Sequence, residues 1–517
     1  MKQTSFSAHV ETAGDKLRVE SVGEYSVPDY QRQIRRILRI RTRVLPSGRY
    51  RRGGRTECAG LCVHTVLYST DDASLATLDV TSEYSFSFPA EDDAALLLLA
   101  PEIEGVSCRL GGPRRITIRA TLSVTPHVYR EIFPTESETG SALSGETVAR
   151  LSHPLSIRRA ELLSLSDLTL SDARPLEAGT ELLAYDASPW VSEARMTEGG
   201  AELRGEVLCT ALLSGEGALP YTLTHRIPFD AILPCTAGEG ASVFAYPTVT
   251  SLEVRAASGE GAGTQLLIDL GLELDAEVLT PTQEEVVVDA FSLKSPHVAR
   301  KESIPVTELL GTVRHRQPLE CSISRSESDS EDATAIVDLG ASVHIRSQTR
   351  SGSTLTVLGE CRIDPALLIG SDDAEGRPEY AATSFSAPFE VTVPLPAELP
   401  EDAELEITAK MRDVKGRLEA ASLCAEGELC LSVRACRRRM LTLAVGMQES
   451  EGELPACDGC ELLAVYPDGR QSLWSLAKRY RVSPEQIARL NGLPSEALSS
   501  ADLPSSIDGC VRLLIEK

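Results

Sequence analysis

The chain has 517 residues, with 51 Lys and Arg against 76 Asp and Glu, a formal net charge of −25, which argues against a general nucleic-acid binder and suits a soluble protein or one that meets a basic partner. Hydrophobic residues make up 42% and aromatics only 4%, so cores must be built from Val, Leu, Ile and Ala, and the length allows about three or four domains. Met1 is followed by polar residues, and the apolar run Ala94 to Ala100 is too short to cross a bilayer, so no secretory signal and no transmembrane segment are expected, and a cytoplasmic chain is.

The first element is anomalous in charge. Between Gln31 and Arg55 there are ten arginines and no acidic residue. Arg39, Arg41 and Arg43 alternate with Ile40, Thr42 and Val44, so a strand would present one guanidinium face. That face can dock an acidic protein surface, because guanidinium binds carboxylate bidentately. Equally, it can be an edge kept charged against aggregation, or be neutralised by the chain's own acidic residues.

Three segments then repeat one order of features: a glycine opening an apolar strand, an aromatic landmark, and a long alternating strand. The first runs from Gly60 through Tyr84-Ser85-Phe86 to Ile116, Ile118, Ala120, Leu122 and Val124. The second runs from Gly205 through Ile227-Pro228-Phe229 to Ile268, Leu270, Leu272, Leu274, Ala276 and Val278, with Asp269, Glu273, Asp275 and Glu277 between them. In the third, Gly359 leads to Ala387-Pro388-Phe389 and then Leu429, Leu431 and Val433. The glycines are 145 and 154 residues apart, and the phenylalanines follow them by 26, 24 and 30. Strict period-two alternation means antiparallel sheets with one wet face. The fold class expected is mainly β: three repeated antiparallel β-sandwich-like domains at 1–150, 151–295 and 296–445.

Thirteen cysteines, an odd number spread over the whole chain, read as reduced thiols rather than a disulfide scaffold. Cys457 and Cys460 have the spacing of half a zinc site, but no second pair follows, so no metal is expected there. They fall in a linker, 446–461. Beyond it, in 462–517, the order is strand, helix, helix, strand. Leu473, Leu476, Ala477 and Tyr480 make one apolar helical face. Ser483, Pro484 and Gln486 supply an N-cap, a first-turn proline and a capping box, and Asn491-Gly492 a C-cap. Trp474 lies one position past the apolar stripe, as core cover or as a binding hot spot.

This module resembles a LysM domain through Ser472-Leu473-Trp474-Ser475-Leu476-Ala477, Ser483-Pro484-Glu485-Gln486-Ile487 and Leu490-Asn491-Gly492-Leu493. The resemblance implies binding of N-acetylglucosamine-containing glycans such as peptidoglycan, or of a protein, through Gly469, Arg470, Gln471, Ser472, Trp474, Asn491, Leu493 and Pro494. Arg470-Gln471-Ser472 stands where the family usually has Gly-Asp-Thr, which counts against the glycan. With the repeats, nearly the entire chain resembles the SPOCS-repeat proteins, SipL-type spore-coat morphogenetic proteins of endospore-forming bacteria. That implies SPOCS-like repeats and an adaptor in the mother-cell cytoplasm, recruited to the forespore surface, whose partners are the coat's basement-layer ATPase and other coat proteins.

No enzyme is expected, and no cofactor. The eight histidines form no H-E-x-x-H motif and no Gly-x-Ser-x-Gly elbow occurs. Gly259-Glu260-Gly261-Ala262-Gly263 precedes a strand pattern, so it reads as a hairpin turn and not as a phosphate loop.

Overall fold

The computed structural model describes residues 8–12, 16–90, 95–98, 101–132, 147–215, 219–236, 238, 240–259, 263–326, 332–370, 378–396, 399–450, 462–466, 472–493 and 512–516. Cys457, Cys460, Gly469, Arg470, Gln471 and Pro494 lie outside them.

The first unit holds β1 (Ala8–Thr12), β2 (Leu17–Ser26), β3 (Ile34–Arg52), β4 (Arg55–Thr70), β5 (Leu75–Pro89), β6 (Ala95–Leu98), β7 (Glu102–Gly112), β8 (Arg115–Val124) and β9 (Pro126–Ile132). The second holds β10 (Val148–Leu176), β11 (Glu181–Thr197), β12 (Gly200–Ser214), β13 (Tyr221–Leu233), β14 (Ser242–Gly259) and β15 (Gly263–Ser292). The third holds β16 (His297–Ser324), β17 (Ala333–Ser351), β18 (Thr354–Ile369), β19 (Glu379–Ala382), β20 (Phe385–Pro394), β21 (Glu404–Leu418) and β22 (Ser422–Glu449). A small module follows: β23 (Leu462–Val465), α1 (Leu473–Tyr480), α2 (Pro484–Leu490) and β24 (Leu513–Glu516).

Each unit is a sandwich of two antiparallel sheets. The upper sheets are β3-β4-β5, β11-β12-β13 and β17-β18-β20. Opposite them lie β2-β8-β7, β10-β15-β14 and β16-β22-β21. The alternating apolar residues read from the sequence are the inner faces: Ile116 to Val124 on β8, Ile268 to Val278 on β15, and Leu429 to Val433 on β22 are buried. Gly259 pairs Gly263 across the β14–β15 hairpin.

The glycines have a steric reason. A Cβ on Gly60, Gly205 or Gly359 would stand 2.5, 2.3 and 2.6 Å from the carbonyl oxygens of Leu45, Trp190 and His344. On the other strand the ring of Tyr84, Phe229 or Phe389 covers the same Cα, and these are the glycines' cross-strand partners. Tyr84, and not Phe86, is therefore the landmark equivalent to Phe229, because only the residue opposite the glycine can lay its ring over it. A register shift follows each crowding carbonyl, at Pro46/Gly48, Val191/Glu193 and Ile345/Ser347. A second set falls at Ile37/Arg39, Leu182/Ala184 and Ile336/Asp338. The bulges keep the same 145- and 154-residue spacing as the glycines, as expected of copies of one fold.

The three units close around common centres. Leu67, Leu212 and Ala366, each seven residues past its glycine, meet in one cluster with Leu38, Ala184 and Val337. Strand β9 of the first unit meets the opposed sheets of the second and third units at a second cluster of Tyr129, Ala160, Leu279, Leu309 and Cys436. Two residues before Tyr129, Leu279 and Cys436 stand His127, Glu277 and Arg434, all buried. Arg434 donates to Glu277 at 3.1 Å and to the Tyr129 hydroxyl at 2.9 Å, and lies 2.7 Å from His127 Nδ1. The expected wet face of β15 is corrected here. Asp275 and Glu277 are buried, because the first unit brings Arg49 to Asp275 and the third brings Arg434 to Glu277. Burial pushes the Asp275 carboxyl up.

Candidate partner-binding site

Two regions carry the residues singled out from the sequence: the C-terminal module and the arginine strand. In the module, Ser472 caps α1 by accepting from Ser475 N at 3.1 Å. Leu473, Trp474, Leu476 and Ala477 are its buried residues. Lys478 and Arg479 sit in its last turn, where cations complement the helix dipole. Ser483 caps α2, accepting from Gln486 N at 3.3 Å, with Pro484 at the start. The expected capping box forms only by half, since the Gln486 side chain donates instead to the Glu516 carbonyl. That carbonyl belongs to β24, and tying strand to helix takes precedence over the local turn.

Asn491 and Leu493 are held inside the module. Asn491 Nδ2 donates to the Ile487 and Leu514 carbonyls at 2.8 and 2.7 Å, and its Oδ1 accepts from Leu514 N at 2.8 Å. It thereby pins the end of α2 to β24. Gly492 takes the left-handed conformation at φ +64°, and Leu493 packs half-buried on the module core.

Trp474 is 8% exposed. Its indole meets the Phe291 ring edge-to-face at 5.0 Å and donates to Asp289 Oδ2 at 2.9 Å. Lys478 Nζ reaches both Asp289 oxygens at 2.9 Å, and Lys301 Nζ approaches at 3.5 Å. Arg481, left-handed at φ +58°, donates to the Ser292 and His297 carbonyls. Burial works to raise the Asp289 pKa, but the hydrogen bonds from Lys478 and Trp474 and the two ammonium charges hold it below the usual carboxylate range. The face of α1 that carries Trp474 is thus clamped to the end of the second unit. What remains exposed on the module includes Leu462, Tyr466 and Leu490.

The sequence reading found Trp474 but not its partners. The one available signal is Asp289 itself, a single carboxylate within Val286-Val287-Val288-Asp289-Ala290-Phe291.

The arginines face inward. Arg39 and Arg41 reach Asp338 Oδ1 of the third unit at 3.0 and 2.5 Å, and the Asp338 side chain is 1% exposed. A Cβ on Gly340 would collide with the Arg39 guanidinium, so that glycine makes its space. Arg43 donates to the Tyr185 carbonyl at 2.8 Å and lies 4.3 Å from the centre of its ring, in the second unit. Burial works to raise the Asp338 pKa, and the Arg39 and Arg41 charges bring it well below the ordinary range. Of the uses open to this strand, the structure shows neutralisation by the chain's own carboxylate; the three side chains join units and leave little guanidinium surface free.

The family model described as LysM domain matches residues 470–500. No curated protein matches the chain, and no solved structure does.

Proposed function

We propose that this chain is a non-enzymatic assembly scaffold whose LysM module holds a partner while the three β units form a rigid body behind it. The observation that carries this reading is the clamp at Asp289. A partner held by the module is coupled mechanically to the body through Trp474, Lys478 and Arg481, as an adaptor requires and a freely tethered glycan probe does not. With the resemblance to SPOCS-repeat proteins, the reading extends to spore-coat assembly: an adaptor of the mother-cell cytoplasm that binds the coat-basement ATPase at the forespore surface. Gly469, Arg470, Gln471 and Pro494 are the contact residues this reading assigns.

A second reading, peptidoglycan binding, is favoured by the LysM match itself. One experiment separates them. Full-length protein and an Arg470→Glu/Gln471→Ala variant are tested for capture of the purified coat-basement ATPase and for co-sedimentation with peptidoglycan. Capture of the ATPase by wild type and at least tenfold weaker capture by the variant supports the scaffold; sedimentation with peptidoglycan and no ATPase capture assigns the module to glycan.

A further inference from the structure

The seams use only part of the arginine run between Gln31 and Arg55, and its early members flank a cleft where the first unit meets the third. The cleft has a volume of about 250 Å³. Its lining is chiefly polar, with Arg35, Arg36, Ser69 and Thr70 from the first unit and Glu379 and Tyr380 from the third. Strict alternation would send Arg35 and Arg36 to opposite faces of β3. A register shift between Ile34 and Arg36 makes Arg35 the extra residue of a bulge, and both arginines line the one cleft. The third unit has the same bulge at Ala333/Ala335, with Thr334 and Ala335 where the arginines stand. The matching residues of the second unit are Thr180 and Glu181. The backbone therefore does not call for arginine here.

Neither guanidinium is saturated. Among the described residues, Arg36 makes one side-chain hydrogen bond, from Nη1 to the Tyr380 carbonyl at 3.1 Å. Arg35 Nη2 stands 4.0 Å from Glu379 Oε1, beyond hydrogen-bonding reach. Arg32, by contrast, is closed on Asp72 at 2.6 Å. Since a guanidinium carries five N–H donors in a planar fork, the cleft faces two largely unused forks and a single carboxylate.

We propose that this cleft binds a small oxyanion of the phosphate class, held by the Arg35 and Arg36 forks and bridging the first and third units. A guanidinium fork matches two oxygens of a tetrahedral oxyanion. The Ser69 hydroxyl, 3.5 Å from the Arg36 carbonyl, adds a donor to the lining. The volume falls below the roughly 300–1,000 Å³ of clefts that take drug-sized molecules, so free phosphate or the phosphoryl group of a small ester fits it. Glu379 opposes the anion by like charge, and neutralising it should tighten binding. Because the lining comes from two units, the bound anion ties them together and stabilises the folded chain by mass action. Salt should weaken the site, since the Arg35 side chain is 55% exposed.

The test titrates the full-length protein by calorimetry with inorganic phosphate and, separately, with glycerol 3-phosphate, at an ionic strength held constant with sodium chloride. One saturable site per chain is expected, with a higher thermal midpoint at saturation. Either ligand supports the site: tighter phosphate identifies the free ion as occupant, and tighter ester identifies a phosphoryl group. Arg35→Gln/Arg36→Gln should weaken binding at least tenfold. Arg35→Gln alone keeps the Arg36 bond to Tyr380 and reads the site even if the double variant fails to fold. Glu379→Gln should tighten binding about threefold, and weaker binding there counts against the site. Arg55→Gln, at the far end of the run and bonded to Ser87, should bind as wild type does. No saturable heat with either ligand at millimolar concentration, or unchanged affinity in the folded arginine variants, overturns the proposal. An equal loss in Arg55→Gln overturns it as well, because attraction would then belong to the run and not to the cleft.

Discussion

At the scale of single residues, Asp289 and His64 yield the sharpest expectations. Asp289→Ala leaves the Trp474 indole and the Lys478 ammonium without their acceptor, and a buried polar group left unpaired costs about 1–3 kcal/mol. The module should then lift from the body, seen as increased quenching of tryptophan fluorescence, since Trp190 and Trp474 are the only tryptophans. Acid should do the same to the wild type. The folded Asp289 pKa is depressed, so its contribution is present above the unfolded carboxylate value of about 4 and is lost as pH falls through the lower folded value. His64 behaves oppositely to a histidine that gains an anion. It is fully buried between Thr42 and Ser82, at 2.8 and 2.9 Å, and burial pushes its pKa down to about 4. The unfolded chain binds the proton first, so stability should decline from about pH 6.5 downward by up to about 3 kcal/mol. His64→Asn should flatten that slope in denaturant titrations at several pH values, and an unchanged slope would remove His64 as its source.

At the scale of elements, the glycine under the aromatic ring is the recurrent device. Gly205→Ala would place a methyl 2.3 Å from the Trp190 carbonyl and against the Phe229 ring. Overpacking of this kind typically costs about 1–3 kcal/mol, and the backbone cannot yield without breaking the ladder. Gly311→Ala is the control, since nothing lies within 4 Å of its Cβ. Thermal midpoints of the two variants should separate clearly; equal midpoints would show the crowding to be relieved. The repeat of glycine, crowding carbonyl and bulge was legible in the sequence as the glycine spacing alone. The identity of the ring was not, because Tyr84 and Phe86 lie on the same face of β5 and only the β4–β5 register selects one.

At the scale of the whole molecule, three sandwiches are joined by charges that local sequence does not pair. Asp338→Ala should strand Arg39 and Arg41 in a buried seam, and breaking a buried pair by removing one partner costs about 3–5 kcal/mol. A drop in the denaturation midpoint, with unfolding no longer a single transition, is the expected result. A variant as stable and cooperative as wild type would mean that the seam does not couple the units.

Local physical chemistry is what the sequence by itself determined. Period-two alternation put Ile116 to Val124, Ile268 to Val278 and Leu429 to Val433 on inner faces, and capping residues marked both helices, because those signals depend on neighbours within a few positions. Tertiary structure alone decided the rest. It turned Arg39, Arg41 and Arg43 into seams, took Asp275 and Glu277 out of water, and laid Trp474 on Phe291. Each of those outcomes depends on a partner far along the chain, 185 residues for Trp474 and Asp289 and 297 for Arg41 and Asp338. A charge or a ring carries no mark of which distant surface will cover it until the sheets have packed.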